Sequence, residues 1–386
     1  MAGVVIIGGA VMGSFSAWFL RHQGFTGPVT VIERDASYEF SSTARSAASI
    51  RCQFGTPVNI ALSLYGVDFF RAIKMHFGAA ADIGYREAGY LILGGPEAVQ
   101  DRLRGVTMQQ AAGADIVALM PDEVRAQFPY LNTTDIGIGT FGRTGEGWFD
   151  AWSLLTLVRR AARDRGVTYL DAEVSRLIAD DTRVTGVQLA SGETLLADTV
   201  VMAAGAASGR LCATAGVDLS VSPRKRTVFN FRAPLVAPNF PMLFDSSGIW
   251  IRPEGQGFIG GIQPPADKDP DATGDFEPDH SLLEDPYWPL LAHRIPAMEQ
   301  LRLERSWAGH YEVNALDHNG IVGPHDRLIN LIFATGFSGH GVMHSPAAGR
   351  AVAEWITRGA YATINMAPLG WARIRDNRPM VESVVY

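Results

Sequence analysis

Val4-Val5-Ile6-Ile7 runs directly into Gly8-Gly9-Ala10-Val11-Met12-Gly13, and this junction restricts the chain to few folds. A short β-branched run suits a strand buried on both faces of a parallel sheet. The glycines permit a tight turn, and Ser14 to Gln23 reads as a helix that Gly24 stops. Val29-Thr30-Val31-Ile32 gives a second strand ending at Glu33. Together they form a βαβ unit of about the usual thirty residues. Residues 1–20 carry no charged side chain, but neither membrane reading suits them. A secretory leader needs a basic start, and a spanning helix would not begin with four glycines in thirteen residues.

In a G-x-G-x-x-G turn the glycines let backbone approach a pyrophosphate, and the helix behind them offers free N–H groups and partial positive charge. Here the spacing falls on Gly8, Ala10 and Gly13, with alanine at the middle position. Glu33 follows at the end of the second strand, where a carboxylate can accept ribose hydroxyls. Strand, turn, helix, strand and acid in this order predict dinucleotide binding.

Further along, Ile60 to Phe77 and Asp101 to Ala112 read as helices, and Pro121 to Gln127 as a short one. Asp150 is placed to cap an amphipathic helix ending at Gly166. Val184–Leu189 and Thr194–Leu196 form a hairpin over Ser191-Gly192, and Thr199–Ala203 is a separate buried strand. Strand patterns dominate from Thr227 to Gln263. Ala266 to Asp279 is an exposed loop rich in Asp and Pro. Leu328–Ala334 is an apolar strand, and Ser345–Arg358 an amphipathic helix. A formal charge of −7, from 33 Lys+Arg against 40 Asp+Glu without basic blocks, argues against nucleic acid or an anionic membrane as partner. Two cysteines, Cys52 and Cys212, make neither a disulfide framework nor a zinc cluster. No metal is expected, and a cytoplasmic setting is.

A long FAD molecule needs close-approach backbone at several distant segments, and three are present. Ser41 to Ser49 is a run of hydroxyl-bearing and small residues with Arg45 within it. Ala203-Ala204-Gly205-Ala206 follows a buried strand. Thr335-Gly336-Phe337-Ser338-Gly339-His340-Gly341 follows the last strand and opens a helix. All three at strand ends favour FAD over NAD. The fold class is thus α/β: a Rossmann-like FAD domain of the glutathione-reductase type over 1–80, 145–225 and 320–386. It carries an inserted, mainly antiparallel (α+β) substrate domain over 81–144 and 226–319.

The segments VVIIGGAVMG, VIER, SSTARSAASIRCQF, VMAAGAAS, WAGHYE and ATGFSGHGVMHSPAAGRAVAE resemble the FAD-dependent D-amino acid oxidase superfamily. They are most similar to the branch of monomeric sarcosine oxidase, glycine oxidase and D-arginine dehydrogenase, with SIRCQF closest to the respiratory-complex assembly oxidoreductases. The resemblance implies oxidation of a C–N bond in a small D-amino or N-alkyl amino acid. Hydride passes to flavin N5, and water hydrolyses the resulting imine. It implies FAD contacts at Gly8, Ala10, Val11, Met12, Gly13, Glu33 and Arg34, then at Ser42, Thr43, Arg45, Ser46, Ala47 and Ala48. Val174, Ala204 and Gly205 follow, with Gly336, Ser338, Gly339, His340, Gly341, Val342 and Met343 in the last block.

The same likeness makes Arg51 the clamp on the substrate carboxylate, since a guanidinium gives two parallel hydrogen bonds. Tyr311 takes a substrate-facing position, and His340 could donate to a flavin oxygen. Arg252 is a weaker substrate candidate, for which a solvated position is expected. Three departures stand out. Met343 and Ile259 occupy positions where sarcosine oxidase has a carboxylate-binding and an oxygen-activating lysine, and Gly309 lies near its flavin-tethering cysteine. FAD held without a covalent bond and poor reaction with oxygen follow, the acceptor being a quinone or an electron-transfer protein if not oxygen itself. Two rivals remain: an FAD-bearing assembly or scaffold protein with little turnover, and an NAD-dependent dehydrogenase sharing only the βαβ start. Cys52, Trp148 and Trp152 read as core, and Tyr85–Gly89 and Ala266–Asp279 as lining or lid of the pocket.

Overall fold

The structure is a computed structural model and describes residues 3–382. Its first sheet runs in the order Ile321–Pro324, Leu331–Thr335, Thr194–Met202, Gly3–Ile7, Val29–Glu33, Thr168–Asp171. The strands from Leu331–Thr335 to Thr168–Asp171 are parallel, and Ile321–Pro324 pairs antiparallel at the edge. The apolar opening run sits at the centre, with Val4 to Ile7 all buried, as a strand flanked on both sides requires.

The helix after the turn spans Val11–His22, three residues earlier than its sequence pattern suggested. It begins directly on the glycine turn. Every residue from Val11 to Leu20 is buried, so this helix is covered all round by protein. That explains an uncharged stretch long enough to be mistaken for a membrane span. On one side it meets the helix Gly341–Arg358. There a Cβ on Gly349 would lie 2.6 Å from the Phe15 Cβ, so only glycine allows the approach.

The second sheet is ordered Arg302–Asn314, Val221–Arg232, Gly257–Ile262, Ile249–Glu254, Met242–Phe244, Tyr90–Gly94, Ile138–Gly142, Ile116–Leu119. Only the contact between Met242–Phe244 and Tyr90–Gly94 is parallel. Two separated segments therefore build one sheet, as the mainly antiparallel pattern predicted. The strand Val221–Arg232 begins before residue 225, so it crosses the boundary expected there.

Several local expectations change. The helix expected over Ile60–Phe77 starts at Pro57, in the favoured first-turn position, and breaks at Ala72, which leaves helical geometry before Ile73–Phe77. Thr194–Leu196 and Thr199–Ala203 are one strand, Thr194–Met202. Its first part pairs antiparallel with Val184–Leu189 and its second parallel with Gly3–Ile7. Asp150 does cap Ala151–Asp164: its carboxylate accepts from the N–H groups of Trp152 (2.9 Å) and Ser153 (3.1 Å). Trp148 is buried, but Trp152 is 45% exposed. It lies about 100° round the helix from the buried face of Leu154, Leu155, Val158 and Ala162, which leaves the indole outside.

Asp150→Ala removes a cap that satisfies two first-turn donors. A loss of about 1 kcal/mol in chemical denaturation is expected; an unchanged midpoint would show that the cap contributes nothing.

Candidate functional site: a cavity for a dinucleotide

The glycine turn is built by collision avoidance. Gly8 has φ +96°, and a Cβ on it would stand 2.2 Å from the Ala203 carbonyl oxygen. A Cβ on Gly13 would stand 1.9 Å from the Gly8 carbonyl oxygen. Turn, helix and neighbouring strand end are thus pressed together. Glu33 faces the same turn: one oxygen accepts from the Gly9 N–H (2.8 Å), the other from Asp35 N–H (3.0 Å). Further lone pairs of the carboxylate stay open to ribose hydroxyls.

A large cavity starts here. Gly8, Ala10, Val11, Met12, Glu33 and Arg34 line one part of it. Ser42, Thr43, Arg45, Ser46 and Ala47 line another, with Val174, Ala204 and Gly205 at a third. Gly339, Gly341 and Val342 complete the set. Gly339 has φ +105°, and a Cβ on it would lie 2.6 Å from the Tyr311 ring, so backbone and phenol share a wall where no side chain fits. Segments far apart in sequence meet round one space, with glycine where walls come closest. These residues fit a dinucleotide as long as FAD.

Gly13, Ala48, Gly336, Ser338, His340 and Met343 were expected on this wall but are not on it. Gly13 lets the helix start close against the turn, and Met343 is buried in the core, its carbonyl against Gly66 of the helix Pro57–Arg71. The His340 ring lies edge-on to Phe54 at 5.1 Å, with Nε2 buried and unpartnered. Burial holds its pKa well below the ordinary value and that of His344 at about 3, so both rings are neutral.

Of the substrate candidates, Tyr311 lines the cavity; Arg51 and Arg252 do not. Arg51 is 3% exposed, donates to the Gln53 carbonyl and lies 4.0 Å over the Phe54 ring. Its charge nevertheless reaches Tyr311, Tyr90 and His340, since it opposes or adds to the effect of burial on each. Arg252 is buried rather than solvated, donating to the Ala47 carbonyl (2.9 Å) and to Glu254. It braces the second sheet against the Ser41–Ser49 run.

Behind Arg51, Glu146 is fully buried and accepts from the N–H groups of Cys52 and Gln53 and from the Gln53 side chain (2.8 Å). It fixes the segment that carries Arg51. Cys52 is a buried free thiol, pushed to a high pKa by burial, as a core residue should be.

Other lining residues gave no local signal. Glu312 is half-buried, accepts from the Thr335 hydroxyl (2.9 Å) and has a pKa raised by desolvation. Arg226 lies opposite Gly309 in the sheet and makes a paired hydrogen bond to Asp269 (2.8 and 2.9 Å). Met242, Phe244 and Trp250 add apolar surface to the cavity that Tyr311 also lines. The loop Ala266–Asp279 is tied down through Asp269 and through Lys225–Asp275 (2.7 Å). Tyr85 is held to the Gly145 carbonyl (2.8 Å), and neither the stretch Tyr85–Gly89 nor the loop Ala266–Asp279 is in the cavity lining.

The fold and this cavity define a flavoprotein oxidoreductase. The family profile described as FAD dependent oxidoreductase matches residues 3–355, and the chain belongs to that family. FAD is its cofactor, which sets aside the NAD-dependent reading. The FAD-dependent oxidoreductase domain-containing protein 1 of Xenopus laevis is 38% identical over 99% of this chain and 84% of its own. Glycine oxidase of Geobacillus kaustophilus is 28% identical over 96% of each chain. Among solved structures, L-proline dehydrogenase from P. horikoshii superposes with TM-score 0.85, at 26% identity, over 97% of this chain and 98% of its own. Among the described residues no helix is long and apolar enough to cross a membrane, and no group of three or more His, Cys, Asp or Glu is placed to hold a metal ion.

Burial raises the Glu146 carboxyl from its ordinary 4.5 to about 7, against the pull of its N–H donors and of Arg51. A carboxyl raised on folding binds more protons folded than unfolded between those values, so it makes stability fall as pH rises through that window. Glu146→Gln removes this loss. Stability of the variant relative to the parent, from urea titrations, should climb between pH 5 and 7 and then level; a difference flat across pH 5 to 8 would contradict it.

Proposed function

We propose that this protein uses FAD to oxidise the C–N bond of a small amino acid, either a D-amino acid or an N-alkyl amino acid. The observation that carries the proposal is that Tyr311 lines the cavity together with Trp250, Phe244 and Met242, while the Arg51 charge acts on Tyr311. Glycine oxidase and L-proline dehydrogenase, by their names, act on amino acids, which supports the same class.

When bound, FAD supplies the acceptor for the hydride of the substrate α-carbon. The chain supplies placement and dryness. Arg51 pairs with the carboxylate, its guanidinium turning from the Phe54 face and the Gln53 carbonyl to do so. Tyr311 keeps its proton, because burial raises its pKa, and donates to the carboxylate or orients the amine. His340 and His344 stay neutral, so no further cation from them opposes the amine. The apolar wall excludes water and strengthens each of these contacts. Arg226 also lines the cavity, but Asp269 already occupies its fork, which makes it a loop anchor.

FAD held without a covalent bond, and a cytoplasmic setting, belong to the same proposal. Gly309 offers no thiol on the cavity wall, and both cysteines are buried free thiols. Ile259, where the resemblance implies an oxygen-activating lysine, carries no cation to stabilise superoxide and is 1% exposed in its strand.

An anaerobic panel of D-amino and N-methyl amino acids should bleach the flavin with at least one member. Arg51→Met should raise KM for it by about a hundredfold, a loss of roughly 3 kcal/mol, far more than Arg226→Met raises it. No bleaching by any member would favour the scaffold reading. Reduced enzyme mixed with air-saturated buffer should reoxidise slowly in stopped flow, and fast reoxidation would overturn the assignment of a non-oxygen acceptor.

A further inference from the structure

Electrons taken from a substrate must leave the protein, and Ile259 gives oxygen no help. Adjoining the FAD cavity is a second, shallower depression open to solvent, formed by Phe40, Arg45, Phe276, Glu277, Ser306 and Trp307 among others. Phe40 and Arg45 line both spaces, so the two share a wall. Phe40 is 44% exposed, and its ring lies 4.9 Å from that of Phe276. Phe276 stacks on His310 at 4.0 Å, and His310 lines the FAD cavity. Three rings therefore lead from that cavity to the surface.

Arg45 is fixed among them. Its guanidinium carbon stands 4.5 Å and 5.1 Å from the Phe40 and Phe276 ring centres. It donates to the Glu39 (2.9 Å) and Ala308 (2.7 Å) carbonyls, and its own carbonyl accepts from the Trp307 indole (3.1 Å). The loop carrying Phe276 is pinned at Asp275 by Lys225 and His310, so the depression is formed in advance.

We infer that this depression docks a small planar acceptor of the quinone class and passes it the electrons held by reduced FAD. The inference rests on the proposed function in requiring a non-oxygen acceptor. Flat aromatic faces suit a flat ring, and a guanidinium suits carbonyl oxygens that gain charge on reduction. The acidic rim at Asp275 and Glu277 disfavours an anionic acceptor or an acidic carrier protein. The balance closes: two electrons and two protons leave FADH2, both quinone carbonyls become hydroxyls, and oxidised FAD is restored.

The test needs no substrate. Holoenzyme reduced anaerobically with dithionite is mixed with menadione, and the return of oxidised flavin absorbance is followed. The rate should saturate with menadione. Phe276→Leu and Ser306→Trp should each slow it at least tenfold, the second by filling the depression without altering the ring train. Ferricyanide, which needs no docking, should reoxidise parent and variants alike. A rate that stays linear in menadione, or that neither variant changes, overturns the site. If the amino acid panel fails while menadione still saturates, the substrate reading falls and the acceptor site stands.

Discussion

A carbonyl oxygen lies 1.9 Å from where a Cβ on Gly13 would be, and another lies 2.2 Å from where one on Gly8 would be. The rest of the structure depends on these two near-contacts. They let the helix Val11–His22 start on the end of the central strand, which aims its first N–H groups into the cavity. They also let the strand ending at Met202 run close enough for Ala203 and Ala204 to join the same wall. Any side chain at either position would separate turn from helix and widen the cleft. The glycines therefore set the distance between the walls, and the other lining residues are placed by that distance.

How much could be read in the sequence follows from how local each contact is. The βαβ start was legible because strand, turn, helix and acid lie within thirty-one residues and carry their own signals. Asp150 was legible for the same reason: a cap acts on the next turn. Arg226 and Glu312 were not. They reach the cavity because the strands Val221–Arg232 and Arg302–Asn314 pair in a register that sets Arg226 opposite Gly309 and Arg224 opposite Tyr311. Nothing within either strand declares that register. Charged residues also blur their alternation, since one end of Arg302–Asn314 is exposed and the other buried. Trp152 was misjudged because hydrophobicity alone does not say which side of a helix a residue takes.

Arg51 shows how a resemblance and a structure divide the work. The likeness supplied a role, a carboxylate clamp. The structure adds what holds the residue ready: the Gln53 carbonyl, the Phe54 face and, one step back, Glu146 gripping the backbone of residues 52 and 53. A buried guanidinium without such support would collapse onto whatever acceptor came nearest. Among its acceptors is the Gln53 carbonyl in its own segment, a weaker partner than a carboxylate. Arg226, by contrast, is already on Asp269 and would have to surrender that ion pair to take any other carboxylate.

The same contrast separates the two faces of the cavity wall. On the inside, burial leaves Tyr311, His340 and His344 in their neutral forms, so the charge of Arg51 acts on a substrate with little competition. On the outside, Arg45 stands over one exposed and one half-buried ring and beside acids, where water screens charge and contact chemistry selects. A charged amino acid belongs to the first environment and an uncharged flat acceptor to the second. On the proposals made above, donor and acceptor would meet one cofactor from opposite sides of the wall that Phe40 and Arg45 share.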